Sequence, residues 1–416
     1  MMIQRPRGTR DFLPEEMERR RHYEQLLRQV SLSHGFREVS TPIFENTELF
    51  TAKSGPNIVE EIYSFEDKGG REIALRPEVT ASVIRMFINE MSNLPRPLKL
   101  FYFGQCFRYE RPQSGRYREF YQFGAEIIGA PNAETDAEAI ALAASLVEGL
   151  GLKEYDLKVG HIGILRSRLA ELGVPADAAA GILQKLDKKL YDEAAPLLRS
   201  HGVQEEEIES LFATTRVAGG KELLADIGGE PGRYLNELFR FLDAYGIEDV
   251  AIDLGTVRGL DYYTGVVFEV EAPCLGAEKQ VCGGGSYTLS EVLGGEPVFS
   301  TGFAIGFDRI LLALEREEHA FDAAKLDAYV LPTGEDTREE SFRIAARLRR
   351  AGLSVDVDLM RRKMSKAMKH AAATGARYAV IVGAKDLAQG TVTIRDMESG
   401  EQSLVPVEEL AEALSA

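Results

Sequence analysis

Long apolar runs are missing from this 416-residue sequence. Nothing approaches the roughly 18 uninterrupted apolar residues of a membrane-spanning helix, and the opening MMIQRPRGTRDFLPEE is charged and proline-bearing, unlike a secretory leader. A soluble, cytoplasmic protein without a membrane partner is expected. Cysteine is scarce: Cys106, Cys274 and Cys282 show no CxxC spacing, which argues against a disulfide framework and a thiolate zinc site and suits a reducing compartment. His22, His34, His161, His201, His319 and His370 are scattered without HxxxH spacing, so zinc chemistry has no foothold and no protein metal site is expected. A GxxxxGK phosphate loop is also absent, which leaves a P-loop ATPase unsupported. Basic charge is short overall: a formal net charge of −17 argues against blanket nucleic-acid binding but not against a local basic track.

What is present suits packed cores. With 44% hydrophobic and 28% charged residues and only 16 prolines, the chain is neither disordered nor collagenous. Its length predicts more than one domain. MERRRHYEQLLRQVSLSHG carries Tyr23, Leu26, Leu27 and Val30 at helical spacing and stops at Gly35. LKLFYFGQCFRYE and REFYQFGAEIIG are aromatic-rich strand runs, and the short polar ERPQSGRY between them predicts an antiparallel hairpin with an arginine-rich loop. Residues from about 133 to 245 read as almost wholly helical, and strand character returns at VAIDLGTVRGLDYYTGVVFEV. Helices between two strand-rich regions predict an insertion, about 165–245, into one sheet domain. After the charged linker LEREEHAFDAAKLD, the strands AYVLP, SVDVDL and YAVIVG alternate with helical runs, which predicts a separate α/β unit with parallel strand pairs over 326–416.

Two fragments invite a false reading. HIG at 161–163 and KMSK at 363–366 resemble pieces of the two class I aminoacyl-tRNA synthetase signatures, but the first lacks its closing histidine, with Ile164 in its place, and no nucleotide-binding loop precedes it. A strand end and an exposed basic helix are the plainer readings. Between Arg343 and Lys369 lie nine basic residues against Asp356 and Asp358, either a phosphate contact surface or a set of solvated helix faces.

On the strand run from Phe120 to Ile128, alternation puts Gln122, Gly124 and Glu126 on one face and Tyr121, Phe123, Ala125 and Ile127 on the other. A carboxylate and an amide flanking a glycine make a candidate pocket floor for a small polar ligand, with a solvated sheet face as the alternative. Arg108, Arg111, Arg116 and Arg118 cluster at the hairpin, and Arg309 follows STGFAIGFD. Guanidinium groups converging from separate elements suit polyphosphate, because their planar forks bind phosphate oxygens and remain charged. RGLDYYTG places Arg258, Tyr262 and Tyr263 beside a strand, and VCGGGSYTLSEVLGG puts three glycines before Ser286 and Tyr287, either for close approach to a ligand or for a tight bend.

PRGTRDFLPEE, LRPEVT at 75–80, FRYERPQSGRYREFYQFGAEIIG at 107–129, RGLDYYTG at 258–265 and GFAIGFDR at 302–309 together resemble the histidyl-tRNA synthetases, a class II aminoacyl-tRNA synthetase family, along essentially the whole chain. The resemblance implies an α+β fold: an antiparallel-sheet catalytic domain over 1–325 with its helical insertion, then an α/β anticodon-binding domain over 326–416, for which ARYAVIVGAKDLAQGTVTIRD is the matching text. It implies ligation of histidine to its cognate tRNA through histidyl-adenylate, with ATP as substrate and Mg²⁺ as its companion. Glu78, Thr80 and Gln122 would hold the histidine amino group, Val79 would contribute backbone, and Glu126, Tyr262 and Tyr263 would read the imidazole. Arg108 would bridge the substrate carboxylate and the α-phosphate, Arg116 and Arg309 would bind the outer phosphates, and Arg258 would act catalytically beside the α-phosphate with Arg108.

PIFENTELF at 42–50 resembles the motif that builds the class II dimer interface, so a homodimer is expected. Val79 and GGGSYTLSE depart from the common bacterial pattern and are similar to the archaeal form. Two alternatives stand beside this reading. One is a histidine-sensing, non-catalytic regulatory paralogue of ATP phosphoribosyltransferase, against which the retained arginines and C-terminal unit speak. The other is a sister class II synthetase, against which RGLDYYTG and Glu126 speak.

Overall fold

The computed structural model describes residues 3–52, 61–111, 115–256, 263–321, 323 and 325–415. The chain forms two compact units, Met1–Ala320 and Phe321–Ala416.

The first unit contains strands β1 (Arg37–Glu38), β2 (Phe44–Asn46), β3 (Ser64–Glu66), β4 (Glu72–Leu75), β5 (Leu98–Phe107), β6 (Glu119–Ile128), β7 (Asp156–His161), β8 (Ala218–Gly219), β9 (Val250–Asp253), β10 (Tyr263–Glu271), β11 (Gln280–Tyr287) and β12 (Ser300–Gly306). Nine of them make one sheet in the order β1-β5-β6-β12-β11-β10-β7-β9-β8, and β2-β4-β3 make a small separate sheet. The pairs from β5 to β7 across the sheet centre are antiparallel, while β1 and β9 add parallel pairs.

Strand alternation divides two cores. Phe101, Phe123, Ala125 and Ile127 pack against the helices Pro14–Ser33, Ala133–Gly149 and Gly229–Ala244, which contribute Tyr23, Leu27, Leu146, Leu235 and Leu242. Leu100, Tyr102, Cys106 and Ile128 face the opposite side, toward the helix Thr80–Met86 with Val83 and Ile84. Each apolar face thus has a cover, and Gln122 and Glu126 of β6 fall on the side away from the long helices. The hairpin expected between 98 and 129 is present in antiparallel register, Tyr102 opposite Gly124 and Leu100 opposite Glu126.

The helical stretch differs from its sequence reading in two respects. First, β7 lies inside it: Leu157 and Val159 are buried, and Val159 pairs with Phe268 of β10 and Ile252 of β9, so tertiary pairing overrides the helical text around it. His161 ends that strand and a helix begins at Ile162, so the HIG fragment is a strand end. Second, the helices from Ile162 to Thr214 bury their own core, including Leu165, Leu169, Ile182, Leu198 and Leu211, whereas Gly229–Ala244 contributes Leu238 and Phe239 to the main one. Apolar periodicity is the same for both; only the partner differs.

The second unit is a five-stranded sheet, order β14-β13-β15-β16-β17, from β13 (Ala328–Pro332), β14 (Val355–Val357), β15 (Tyr378–Val382), β16 (Thr391–Asp396) and β17 (Gln402–Pro406). β13 pairs in parallel with β14 and β15, as the strand–helix alternation predicts, and β16 and β17 extend the sheet antiparallel. Helix Arg338–Arg350 covers one face through Ile344 and Leu348, and Met364–Ala373 covers the other through Ala367 and Ala371. Lys363 caps this second helix, so KMSK is a helix start, with Lys363, Lys366 and Lys369 exposed. Arg343 and Arg362 of the basic segment are paired locally, with Glu340 at 2.8 Å and Asp358 at 2.7 Å.

Candidate active site

The Gln122–Glu126 face of β6 is not solvated. Glu126 is fully buried, at 0% exposure. Thr80 Oγ1 donates to its Oε1 at 2.9 Å, the Tyr102 hydroxyl approaches the same oxygen at 3.4 Å, and the Tyr287 hydroxyl donates to Oε2 at 2.5 Å. Burial pushes the Glu126 carboxyl up to about 8, although the bonds from Tyr287 and Thr80 favour its charged form. The same burial, with Glu126 beside it, holds the Tyr102 hydroxyl well above its ordinary range.

Two glycines make this arrangement possible. Gly302 of β12 is directly across from Glu126, and a β-carbon there would stand 1.7 Å from Glu126 Oε2. At Gly124 a β-carbon would stand 2.3 Å from the Tyr102 ring, so the room this glycine leaves is filled by Tyr102. The triple glycine 283–285 is neither bend nor loop: it lies inside β11, where a β-carbon at Gly284 would meet the Gly302 carbonyl at 2.2 Å.

Glu78 precedes the helix Thr80–Met86 and accepts the Ala81 N–H at 3.0 Å, a carboxylate at a helix N-terminus. Burial raises its pKa, opposed by the bonds from Ala81 and Thr80 and by Arg108. Gln122 accepts from the Cys106 thiol at 3.3 Å, and burial pushes that thiol up to about 12. The Tyr263 ring meets Tyr287 edge-on, centroids 6.5 Å apart. Val79 is buried in the core with Ile84 and Phe87. Arg258 and Tyr262 lie outside the described residues.

The arginines form a chain with two carboxylates. Arg108 donates to the Pro77 carbonyl at 3.0 Å and lies 3.8 Å from Glu110; Glu110 lies 3.5 Å from Arg116; Arg116 pairs with Glu278 at 2.8 Å, and Glu278 with Arg309 at 3.3 Å. Arg309 also donates to the Gln280 carbonyl at 2.9 Å. Burial and the neighbouring Arg116 hold the Arg309 guanidinium below its ordinary value, a concentration of positive charge that a polyanion would relieve. A cavity of about 280 Å³ is lined by both groups, Glu78, Thr80, Gln122, Glu126 and Tyr263 together with Arg108, Arg116 and Arg309. The sequence reading did not single out Tyr102, Glu110, Glu278 or Gly302 in these roles. Only the last carried a signal, as a glycine in a strand run.

Residues 8–310 match the family model described as Histidyl-tRNA synthetase, and residues 327–416 match that of the Anticodon binding domain. The chain belongs to the histidyl-tRNA synthetase family. It is 45% identical over 414 residues to the Histidine--tRNA ligase of Archaeoglobus fulgidus, covering 99% of each chain, and 41% identical to that of Pyrococcus furiosus, covering 99% of this chain and 98% of the other. The crystal structure of apo S. aureus histidyl-tRNA synthetase superposes with a TM-score of 0.76 at 30% identity, covering 99% of this chain and 100% of that one.

Proposed function

We propose that this protein ligates L-histidine to its cognate tRNA in two steps. The observation that carries the reading is one cavity holding a fully buried, hydroxyl-bonded carboxylate, Glu126, together with the arginines Arg108, Arg116 and Arg309. In the first step a histidine carboxylate oxygen attacks the α-phosphorus of ATP and pyrophosphate leaves, giving histidyl-adenylate. In the second, the 3′-terminal ribose hydroxyl of the tRNA attacks the adenylate carbonyl and AMP leaves. Such transfers depend on positioning and charge neutralisation, which arginines supply.

Arg108 is assigned to the substrate carboxylate and α-phosphate, Arg116 and Arg309 to the outer phosphates, and Arg258 to the charge that develops as pyrophosphate departs. Glu78, Thr80 and Gln122 are assigned to the histidine amino group, with Val79 contributing backbone, and Glu126, Tyr262 and Tyr263 to the imidazole. A site built to hydrogen-bond an imidazole leaves its own groups unpaired when leucine or phenylalanine enters, a penalty of order 10⁴ or more in selectivity. Among the described residues no group of three or more His, Cys, Asp or Glu side chains could hold a metal ion. Mg²⁺ is assigned to the substrate as MgATP, where it would share in neutralising the phosphates.

The division into a catalytic domain over 1–325 and an anticodon-binding domain over 326–416 belongs to this reading, as does a homodimer. Ile43, Phe44 and Phe65, exposed beside or on the small sheet, support the latter. No helix among the described residues is long and apolar enough to cross a membrane, and a cytoplasmic location is proposed with the function. Retention of Arg108, Arg116 and Arg309 and of a matched anticodon domain weighs against the histidine-sensing paralogue.

The test is amino-acid-dependent exchange between ATP and pyrophosphate with each of the twenty amino acids, without tRNA. Exchange with histidine alone is expected. Histidine binding without exchange would favour the sensor, and exchange with another amino acid would remove Glu126 from its assigned role.

A further inference from the structure

Arg10 stands outside the roles assigned above, yet it bridges the two elements that carry the outer-phosphate arginines. Its Nη2 donates to Asp308 Oδ1 at 2.5 Å, and its guanidinium carbon sits 3.7 Å from the centroid of the Tyr117 ring. Tyr117 follows Arg116 in the hairpin loop, and Asp308 precedes Arg309 in the helix Phe307–Arg316.

Each anchor is itself fixed. The Asp308 carboxylate is buried; Oδ1 also accepts from Arg20 at 2.7 Å, and Oδ2 accepts the Tyr121 N–H of β6 at 2.9 Å. On the loop side, Arg118 donates its N–H to the Gly8 carbonyl at 2.9 Å, so the segment around Arg10 also holds the loop through its backbone. A β-carbon at Gly115 would lie 3.7 Å from Arg309 Cγ, which sets the loop backbone against the same helix. A guanidinium can stack on a ring while its edge donates to a carboxylate, a combination that lysine reproduces only in part.

We propose that Arg10 is a positioning residue for the triphosphate seat, clamping Tyr117 to Asp308 so that Arg116 and Arg309 present one preformed phosphate site. The inference rests on the assignment of Arg116 and Arg309 to ATP. The carboxylate at the heart of the histidine pocket, Glu126, is held by Thr80, Tyr102 and Tyr287, and the clamp meets β6 through the Tyr121 N–H, which Asp308 also accepts while Arg20 holds it. Loss of Arg10 therefore separates the two substrates.

The experiment is histidine-dependent exchange in the full-length protein, with KM for ATP and KM for histidine measured for wild type, Arg10→Gln, Tyr117→Leu, Tyr117→Phe and the double variant Arg10→Gln/Tyr117→Leu. A clamp of this kind predicts a rise of about tenfold in KM for ATP in Arg10→Gln and Tyr117→Leu, with KM for histidine changed less than about twofold. Tyr117→Phe keeps the ring and should restore the ATP value. Because both single changes break one linkage, the double variant should be no worse than either alone. An unchanged KM for ATP, a parallel rise for histidine, or a multiplicative double variant would each overturn the clamp. Should Arg10→Gln fail to fold, the Tyr117→Leu and Tyr117→Phe pair makes the same comparison. A wild-type protein that shows no histidine-dependent exchange would refute the assigned function instead, and ATP affinity measured by calorimetry across the same variants would still decide the clamp.

Discussion

Replacing Glu126 with glutamine should remove the pH dependence of one part of this protein's stability. Burial raises the folded-state pKa of Glu126 to about 8, and bonds from Tyr287, Thr80 and Tyr102 reduce that effect without cancelling it. In the unfolded chain a glutamate titrates near ~4.3. The folded value is the higher one, so the contribution is fully present below about pH 4 and is lost as the pH rises through about 8. Between pH 5 and pH 8 the unfolded chain has already given up the proton that the folded chain largely retains. At about 1.4 kcal/mol for each unit separating the two pKa values, the wild type loses on the order of 3 kcal/mol across that window from this residue.

Glutamine is nearly isosteric and cannot ionise. Urea unfolding of the unliganded wild type and Glu126→Gln at pH 5, 6, 7 and 8, followed by far-UV circular dichroism, isolates the effect, because the other titrating groups are common to both proteins. The stability difference should move toward the variant by about 3 kcal/mol from pH 5 to pH 8. A difference that stays constant with pH, or moves the other way, would refute the argument that burial dominates over the three hydroxyl contacts.

The same carboxyl should shape histidine affinity. A bound imidazolium–carboxylate pair carries one proton, whereas the free partners carry two below the ~6.5 of imidazole and none above the value of about 8 for Glu126. Calorimetry should therefore give a plateau between these values, with affinity falling on both sides and the alkaline limb weakened in Glu126→Gln; a monotonic profile would contradict it. Gly302→Ala forces a β-carbon to within 1.7 Å of Glu126 Oε2 and 2.6 Å of the Ala125 carbonyl, so a loss of about 1–3 kcal/mol or more in stability and a KM for histidine raised at least about tenfold are expected, checked by melting and exchange kinetics. Wild-type values for both would show that β6 and β12 can part freely. Lys366→Glu with Lys369→Glu should leave exchange unchanged but raise KM for tRNA about tenfold and flatten its salt dependence by about two ion equivalents. Charging that is insensitive to both changes would remove this helix from the tRNA surface.

The polar face of β6 was legible because period-two alternation needs only neighbouring residues, and the alternation of strands and helices after residue 327 was legible for the same reason. Glu126's partners were not. Tyr102 comes from β5 and Tyr287 from β11, and which strands flank β6 depends on the order β5-β6-β12-β11, which no local pattern carries. β7 was lost because six residues of a strand sit between two helices and are stabilised by β9 and β10, both farther along the chain. The arginines could be picked out by residue type, but Glu110 was hidden among them, and Glu278 lies in a short segment before β11 with no periodicity to mark it.

Those two carboxylates change the meaning of the arginine cluster. Arg116 and Arg309 are not bare charges awaiting phosphate, since Glu278 contacts both and Glu110 lies near Arg108 and Arg116. Ion pairs at partly exposed positions are worth little each, about 0–1 kcal/mol, so MgATP can displace them at small cost. Meanwhile they keep like-charged guanidinium groups together before the nucleotide arrives. Pre-organisation of the phosphate seat thus comes from exchangeable carboxylates at its surface and from the buried Asp308 at its base, whereas the histidine pocket relies on a carboxylate that no solvent reaches. The two halves of one cavity should accordingly respond to different variables: salt and competing anions at the arginines, and pH at Glu126.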